Sequence, residues 1–550
     1  MFRFSTRSII RNIKQFYIFL YVILLTTIFV QANEITICRE DCDYTSIATG
    51  VAAANPGDTL LVHSGIYNES VNINKSLVLR GLKNGNDLPI VDAYGRKDSA
   101  ITFSSDGIVI EGFKVRAASG HLYREWAGIK VMSNNNSIIG IIAEENDNGI
   151  VLIGSSNNTL EGNNISKNEN GIILKESRDN LIENNNINGN IYGIYLISAA
   201  NNTLTKNSVI DNDYGILLNS SAGNVLRYNI MNKNTNNFGA EGKNDIDKSN
   251  LVDDNPIYYL VGMGVSHTII INSSSKAGTV YCINCRNVTI KDLILKNNLN
   301  GIFLHNTTDS ILENNTLYDN NFGISLLDSS KNIINGNIFR HNRVDGLVIK
   351  SSKSNNIRKN LISESGHYGL TILYSDYNNI TTNNISFNNN GVGLNQSYNN
   401  QIIKENNINF NNKTGLLILD SVGNNVSMNN FSYNNKGTWL INSMMNYIIG
   451  NNVFSNADGI RLEFSSDNTI GENHIIGNRY GVAFDPIYEN FGFNNFEENN
   501  KMLSNGKNTT EIVSIRPACP VGGCPPTRPP PGGDKKTTPD NKPNKKATTK

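Results

Sequence analysis

The stretch that decides the fold runs Asn158-Thr159-Leu160-Glu161-Gly162-Asn163-Asn164-Ile165 and continues with Gly171-Ile172-Ile173-Leu174. Short apolar and polar alternations are broken here by Asn and Gly, which predicts short strands joined by tight turns. The same frame returns at spacings of 21 to 24 residues, marked by a Gly that usually precedes Ile, Leu or Val. These marker glycines are Gly107, Gly128, Gly149, Gly171, Gly193 and Gly215, followed by Gly301, Gly323, Gly346, Gly369, Gly391, Gly415, Gly437, Gly459 and Gly481.

A period of about 22 residues fits one coil of a parallel β-helix, made of three strands and three turns. Helical repeats are excluded because they need longer amphipathic runs, and leucine-rich repeats because their fixed Leu spacing is missing. Residues one and three positions after each marker Gly, such as Ile172 and Leu174, should point into a dry aliphatic core. Asn suits the corners because it tolerates left-handed backbone. We predict an all-β parallel β-helix solenoid.

The N-terminus has the pattern of an export signal. A basic start precedes an apolar run from Phe16 to Val30, and Val30-Gln31-Ala32 fits a small-residue cleavage site, so we predict cleavage after Ala32. An uncleaved anchor is the alternative, but about fifteen apolar residues are short for a bilayer span. We expect an exported protein, extracellular or on the cell surface, that meets a membrane only if this segment is retained.

The rest of the chain divides where the pattern changes. Asp43 to Ala54 predicts a short helix that caps the first coil and ends at Asn55-Pro56-Gly57. The period fails between Gly239 and Gly278, and nine of the 13 prolines lie after residue 516. The predicted segments are a signal peptide at 1–32, a cap at 33–58, array I at 59–235, an irregular bridge at 236–277, array II at 278–510, and a disordered Pro-, Lys- and Thr-rich tail at 511–550.

Charge and cysteine content limit the class of protein. The chain has 48 basic and 48 acidic side chains, which gives no electrostatic case for a nucleic-acid partner. Its six cysteines form three close pairs, which in an oxidising compartment predict local disulfides. Zinc would need two pairs to converge, and a redox role for the second pair lacks the βαβ context of such motifs. The pairs are Cys38 with Cys42, Cys282 with Cys285, and Cys519 with Cys524.

The N-terminal array resembles a known family. The residues that carry the likeness are Asn55-Pro56-Gly57-Asp58-Thr59-Leu60, Gly65-Ile66-Tyr67-Asn68-Glu69 and Lys75-Ser76-Leu77-Val78-Leu79-Arg80-Gly81, which look like the opening of NosD-like proteins. Pro256-Ile257-Tyr258-Tyr259 with Ala277-Gly278-Thr279-Val280 resembles the linker of archaeal surface proteins in this group. The resemblance implies a right-handed parallel β-helix of the pectate-lyase-like superfamily, with a carbohydrate-binding and sugar-hydrolase domain. Its label also carries periplasmic copper binding.

The residues do not favour copper. Copper needs His, Met or Cys ligands that converge, and in a solenoid only residues close in sequence or one or two coils apart can do so. No two histidines share a position in adjacent coils. They are His63, His121, His267, His305, His341, His367 and His474. We predict no cofactor and no metal site; a chance calcium site at the acidic pair Glu463 and Asp485 is an alternative that we do not predict.

One acidic pair is a candidate for acid–base catalysis. Glu463 and Asp485 both lie four positions after a marker Gly in adjacent coils, so we expect them side by side, near the carboxyl separation of retaining glycosidases. Arg461 lies beside them. The alternative is a surface charge cluster that arginine relieves. A polysaccharide lyase or glycoside hydrolase is therefore the second functional hypothesis.

Outward aromatic residues favour a binding surface instead. The positions two after and one before the marker Gly carry Tyr192, Tyr195, Tyr214, Phe303, Phe322, Tyr368, Trp439 and Tyr480. Exposed apolar rows of this kind often mark binding faces, and rings beside Asn amides suit polysaccharide. The alternative is that these side chains only pack along the ladder.

About eighteen Asn-x-Ser/Thr sequons, including Asn68, Asn157, Asn219, Asn306 and Asn430, predict a glycan-coated rod if the host glycosylates exported proteins. Such a coat favours an adhesive or structural role. We predict an adhesin-like surface protein that binds cell-wall or extracellular polysaccharide or another surface protein, with copper handling as a third hypothesis.

Overall fold

The structure is a computed structural model that describes residues 32–96, 98–118, 126–264, 266–403, 405–484 and 495–511. Residues 1–31 of the predicted signal peptide and residues 512–550 of the predicted tail lie outside this range, as does Asp485. Nearly every described element is a short strand, and the strands stack in parallel as sheets that run along the molecule. The predicted parallel β-helix is confirmed.

Array I is built from three sheets. Sheet IA contains Glu34–Ile37, Thr59–His63, Val78–Leu82, Val109–Glu111, Ser137–Ile139, Thr159–Glu161, Leu181–Glu183, Thr203–Thr205, Val225–Arg227 and Asp245–Ile246. Sheet IB contains Gly65–Tyr67, Pro89–Asp92, Lys114–Arg116, Ile142–Glu144, Asn164–Ser166, Asn186–Asn188, Ser208–Ile210, Ile230–Asn232 and Leu251–Val252. Sheet IC contains Val71–Ile73, Ile101–Phe103, Ala127–Val131, Asn148–Ile153, Asn170–Lys175, Tyr192–Ile197, Tyr214–Asn219 and Asn236–Ala240.

Array II repeats the arrangement. Sheet IIA contains Ile269–Ile271, Val288–Lys291, Ile311–Glu313, Ile333–Asn335, Asn356–Arg358, Asn379–Thr381, Gln401–Ile403, Asn425–Ser427, Tyr447–Ile449, Thr469–Gly471 and Phe496–Glu498. Sheet IIB contains Ile294–Lys296, Thr316–Tyr318, Ile338–Arg340, Leu361–Ser363, Asn384–Ser386, Asn407–Asn409, Asn430–Ser432, Asn452–Phe454, His474–Ile476 and Lys501–Leu503. Sheet IIC contains Asn255–Val261, Thr279–Ile283, Asn300–His305, Phe322–Leu327, Asp345–Lys350, Tyr368–Leu373, Asn390–Asn395, Thr414–Leu419, Lys436–Ile441, Asp458–Glu463, Tyr480–Phe484 and Lys507–Glu511. A 3₁₀ turn covers Ser273–Ser275.

The marker glycines allow neighbouring coils to approach. In sheet IC, Ile172 pairs in register with Ile194, and both side chains are fully buried in the aliphatic core. A Cβ atom on Gly171 would lie 2.5 Å from the carbonyl oxygen of Gly193, a distance that no side chain tolerates. Glycine is therefore needed here for close packing of the backbone, and the period of the sequence reports the period of the stack.

The buried asparagines form hydrogen-bonded ladders. The Asn207 amide group donates to the carbonyl oxygen of Ile182 at 2.8 Å and to Asn229 Oδ1 at 2.9 Å, and the Asn207 backbone N–H donates to the same Oδ1 at 3.1 Å. Left-handed backbone lies at the residue before the ladder asparagine; it is Asn, as we predicted for the corners, at Asn157 with φ 56° and Asn184 with φ 55°, and another residue type elsewhere, as at Lys206 with φ 54°. Ladder asparagines are retained because each satisfies backbone groups of adjacent coils that water cannot reach.

The N-terminal end is closed by the predicted short helix, α1 (Ile47–Ala53), which begins four residues after the predicted start, since Asp43 instead accepts hydrogen bonds from Thr36. Glu69 accepts hydrogen bonds from the first backbone N–H groups of α1, at 2.8 Å from Ile47 and 3.1 Å from Ala48. Lys75 Nζ donates to carbonyl oxygens at the other end, including that of Ala54 at 2.7 Å. The charges match the helix dipole at both ends and hold α1 across the first coil.

Residues 236–277, predicted as an irregular bridge, carry strands of both arrays. Asn236–Ala240 is the last strand of sheet IC, and Asn255–Val261 is the first strand of sheet IIC. Asn255–Val261 runs antiparallel to Leu251–Val252, so the chain reverses between the arrays. The Leu299 backbone N–H then donates to the carbonyl oxygen of Phe238 at 3.0 Å, which attaches a coil of array II to the end of array I.

Candidate functional site: tyrosines at the junction

Three predicted binding residues form one cluster at the outer face of sheet IC. The Tyr192 ring stacks on Tyr195 with a centroid distance of 4.9 Å, and on Tyr214 of the next coil at 4.8 Å. All three rings are half-buried. The stack exists because Tyr192 and Tyr214 occupy the same position in consecutive coils, which places their Cα atoms in register. We call these residues the tyrosine cluster.

Residues of array II contact the tyrosine cluster and the sheet that carries it. Asn321 Nδ2 donates to the Tyr214 hydroxyl at 3.4 Å, a contact between residues 107 apart in sequence. Leu299 lies over sheet IC at Gly239, where a Cβ would be 2.6 Å from the Leu299 side chain. The outer face of array I therefore contacts coils of array II, and the tyrosine cluster lies at this junction.

Polar and charged groups surround the rings. The Tyr195 hydroxyl accepts from Asn219 Nδ2 at 3.2 Å. Burial raises the pKa of Tyr192, and the neighbouring tyrosines and the carboxylates of Asp213 and Glu169 add to this effect. Arg343 donates to the carbonyl oxygen of Asp319, and burial against the neighbouring coil lowers its pKa. The junction thus offers phenol hydroxyls, amides and one guanidinium, which can hydrogen-bond hydroxyl groups, and ring edges that can pack on apolar surface.

Asp345 and His367 form a second polar cluster on the same side of array II. Asp345 is 5% exposed, and its carboxylate accepts from the Tyr368 backbone N–H and from Thr371 Oγ1, both at 2.8 Å. His367 Nδ1 lies 3.3 Å from Asp345 Oδ1, and the exposed imidazole packs edge-on against Tyr368. Burial raises the pKa of Asp345. We did not predict this cluster, because the type of residue before a marker Gly varies along the chain and the partners of Asp345 come from the next coil.

Phe303 faces outward from sheet IIC, as we predicted, but the structure does not leave it available for binding, because it is 7% exposed and packs 5.5 Å from Tyr281. Tyr259, Tyr281 and Phe303 are in register on the outer face of sheet IIC, and this face covers the open end of array I. Their rings therefore belong to the core of array I.

The other predicted ring positions remain half-buried along sheet IIC. Lys436 Nζ lies 4.3 Å from the centre of the Trp439 ring, and the Arg479 guanidinium lies 5.2 Å from that of Tyr480. Phe322 and Tyr368 are half-buried at the strand starts nearest the junction. The structure does not gather these residues with the tyrosine cluster.

The predicted catalytic glutamate is bound in an ion pair. Arg461 Nε donates to Glu463 Oε1 at 2.6 Å, and Arg461 Nη1 to Asp458 Oδ2 at 3.1 Å. Glu463 is 7% exposed. Asp485 lies outside the described residues, so its position relative to Glu463 stays a prediction. The described geometry matches the alternative interpretation, in which arginine neutralises a charge cluster.

The cysteine pairs differ from one another. Cys38 and Cys42 form the expected disulfide, with sulfur atoms 2.04 Å apart. Cys282 and Cys285, also predicted as a disulfide, are free thiols and are buried. Burial and the contact with Cys285 raise the pKa of Cys282, because both disfavour its thiolate. Cys285 takes the corner position that Thr307 fills in the next coil. Cys519 and Cys524 lie outside the described residues.

Metal ligands do not gather in the described part of the chain. Residues of the His, Cys, Asp and Glu types form no group of three or more there that could hold a metal ion. His305, His341 and His367 each lie beside a single carboxylate, and His121 is outside the described residues. These residues do not fit a copper site, and we derive none.

Among the described residues, no helix has the length and apolar character of a membrane span.

The predicted glycosylation sites all lie at the surface. Asn68, Asn157 and Asn306 are exposed, while Asn219 and Asn430 are half-buried. The repeat itself explains why sequons avoid the buried ladders. The residue two positions after a ladder asparagine such as Asn158 or Asn163 is an inward aliphatic one, so a Ser or Thr cannot stand there without breaking the core.

These features define a parallel β-helix with an aromatic cluster at the junction of its two arrays. The family model described as periplasmic copper-binding protein (NosD) matches residues 51–258 and 247–406, and the model for a right handed beta helix region matches residues 369–514. The chain belongs to the NosD family. A comparison with curated protein sequences found no match.

Solved β-helix structures are similar at low identity. The periplasmic alginate epimerase AlgG shares 11% identity over 73% of this chain and 76% of its own, with a TM-score of 0.25. Pectate lyase Pel9A shares 13% over 47% and 76%, with a TM-score of 0.32. The A-module of the Azotobacter vinelandii mannuronan C-5 epimerase AlgE4 shares 13% over 85% and 93%, with a TM-score of 0.18.

Proposed function

We propose that this protein is an exported, surface-located polysaccharide-binding protein whose binding site is the tyrosine cluster. The observation that carries the proposal is the stack of Tyr192, Tyr195 and Tyr214 at the junction of the arrays, with Asn321 bonded to it. Half-buried rings with a few convergent polar groups are the composition of small-ligand and sugar sites. The basic and apolar N-terminus and the periplasmic description of the family support a location outside the cytoplasm.

Retardation in polysaccharide-containing gels tests this function. We expect at least one neutral or acidic polysaccharide to retard the full chain. The double substitution Tyr192→Ala with Tyr195→Ala should weaken binding roughly 10- to 100-fold, because each aromatic contact contributes about 0.5–1.5 kcal/mol. The matched control is Phe410→Ala, which also removes a stacked surface ring but lies far along array II; its affinity should equal that of the unsubstituted protein.

Two outcomes would contradict the proposal. Binding that survives the double substitution would remove the tyrosine cluster from the site, and so would the absence of retardation by every polysaccharide. Thermal unfolding of the variants shows that the fold is kept. Incubated samples are also checked for new reducing or unsaturated ends; ends that disappear in Glu463→Gln would make the protein an enzyme instead.

A further inference from the structure

A second aromatic surface lies on array II, away from the tyrosine cluster. Phe387, Phe410 and Tyr433 follow the strands of sheet IIB in three consecutive coils and are 61%, 45% and 51% exposed. Their ring centroids are 5.3 Å and 4.7 Å apart, with interplanar angles of 7° and 3°. Phe454 closes the row edge-on, 6.0 Å from Tyr433. We call these four residues the ring stack.

The ring stack presents edges rather than faces. Parallel rings less than about 5.5 Å apart cover one another's inner faces, as the rings of the tyrosine cluster also do, so a ligand on the ring stack meets mainly ring edges. The stack is nevertheless a continuous apolar stripe on the surface. Such stripes on soluble proteins mark surfaces that another group or molecule covers. The same corner position carries Asp319, His341 and Glu364 in the preceding coils, so the rings are confined to a few coils.

Sequons flank the ring stack on both sides. Asn384-Ile385-Ser386 and Asn430-Phe431-Ser432 end directly before Phe387 and Tyr433, and Asn412-Lys413-Thr414 begins two residues after Phe410. At about 3.3 Å per residue, these asparagines lie about 7–10 Å along the chain from the nearest ring.

The outward residues of sheet IIB change from apolar to polar in the coils that carry the ring stack. The outward position at the start of its strands is Ile338 and Leu361 in the coils before the ring stack, both 39% exposed. It becomes Asn384, Asn407 and Asn430 in the coils that carry the rings. Two of these asparagines, Asn384 and Asn430, begin sequons.

We propose that the chain's own N-linked glycans, on Asn384, Asn412 and Asn430, cover the ring stack with their innermost sugars. The amide nitrogen of each asparagine forms a bond to the anomeric carbon of a sugar from a glycosyl diphosphate donor of the exporting cell. The bond from that carbon to the phosphate oxygen breaks, the electron pair leaves with the diphosphate, and the amide loses one proton. Asn430 keeps its second N–H for Asn407 Oδ1, which is 3.2 Å away. This inference does not depend on the proposed polysaccharide site.

Glycopeptide mass spectrometry of the chain secreted from an N-glycosylating host is the first test. We expect sugar on all three asparagines. Enzymatic deglycosylation of the intact protein should then raise the fluorescence of a dye that binds exposed apolar surface at least two-fold. The same treatment of Phe410→Ala should give a smaller rise, because the stripe is interrupted.

A variant with Ser386→Ala, Thr414→Ala and Ser432→Ala removes the sequons and should bind the dye as the deglycosylated protein does. The matched control is Thr159→Ala, which removes the sequon of Asn157 on array I and should leave the dye signal unchanged. Unmodified Asn384 or Asn430, or an unchanged signal after deglycosylation, would overturn the proposal. Loss of polysaccharide binding in Phe410→Ala would assign the ring stack to a free polysaccharide instead.

Discussion

The regular coils and the junction use the same repeat position in opposite ways. Two positions after the marker Gly, Tyr195 and Leu417 stand half-exposed on the outer face of a sheet. At the junction the equivalent Tyr259, Tyr281 and Phe303 are buried among residues of array I. The position within a coil sets which way a side chain points, but the element that packs outside the sheet sets whether it meets water.

The asparagine ladders show the same contrast. Within the arrays, a ladder asparagine such as Asn212 donates to a partner 22 residues later. At the end of array I, Asn234 donates to Asn237 Oδ1 at 2.9 Å, only three residues later. The ladder closes within its own coil there, because Asn236–Ala240 is the last strand of sheet IC. This ladder therefore does not continue across the junction, where side-chain packing and backbone hydrogen bonds such as Leu299 N–H to the Phe238 carbonyl oxygen connect the arrays.

Replacement of Tyr281 at the junction should have the largest effect on the stability of the protein. Tyr281→Ala removes a fully buried ring that contacts Phe238, Tyr259 and Phe303 at the junction. We expect a loss of about 3–5 kcal/mol in the free energy of unfolding. Denaturant unfolding followed by circular dichroism should also separate into two transitions, because arrays that lose their interface unfold independently.

The control for this variant is Tyr433→Ala, which removes a half-exposed ring and should cost less than about 1 kcal/mol. A single transition in Tyr281→Ala, with stability close to that of Tyr433→Ala, would show that the junction does not couple the arrays.

The second largest effect should be a difference in stability between substitutions of two adjacent asparagines in a regular coil. Asn185 is buried, and its amide donates to the Leu160 carbonyl oxygen at 3.0 Å and to Asn207 Oδ1 at 2.9 Å. Asn186 beside it is exposed. Asn185→Ala should cost about 2–3 kcal/mol, because it leaves buried partners without hydrogen bonds, and Asn186→Ala less than about 0.5 kcal/mol. Urea midpoints measure both. Equal midpoints would mean that the ladders contribute little to stability.

The smallest of the three expected effects on stability is that of high pH on the junction. Burial raises the pKa of Tyr259 from 10.0 to about 12, and its hydroxyl donates to the Gly242 carbonyl oxygen. The folded state therefore holds this proton more tightly than the unfolded state, so the stabilisation is complete below pH 10 and is lost as the pH rises towards 12. Near one pH unit above 10, the expected loss is about 1 kcal/mol.

Unfolding midpoints from pH 9 to pH 11 check this prediction, with Tyr259→Phe as the control. The substitution removes the ionisable hydroxyl, so the variant should lose less stability over this range than the unsubstituted chain. Parallel pH profiles for the two proteins would contradict it.

Much of the fold could be predicted because the repeat is local. Gly171 and its equivalents, followed by inward residues such as Ile172 and Leu174, report the coil period and the core directly. The helix α1 was also predictable from its boundary residues. The asparagine ladders were not predicted. The sequence shows that Asn recurs, but it does not show that the Asn amide groups form hydrogen bonds between coils or that Lys206 takes the left-handed backbone.

The candidate site was predictable only in part. Tyr192, Tyr195 and Tyr214 were found because all three lie in one array with an unbroken period. Asn321 and Arg343 were not, because nothing in their local sequence indicates contact with residues more than 100 positions earlier. Asp345 was missed for a similar reason, since its partners Tyr368 and Thr371 come from the following coil.

The sequence by itself determined the coil, its period, its inward and outward positions and the cap, because each follows from interactions within one repeat or between identical repeats. Only the tertiary structure decided how array II attaches to array I. Chain reversal after Val252 is a single event without a repeating signal, and its consequences reach Phe303 and Tyr214 through packing. That event buries Phe303, one predicted binding residue, and brings residues of array II into contact with the tyrosine cluster.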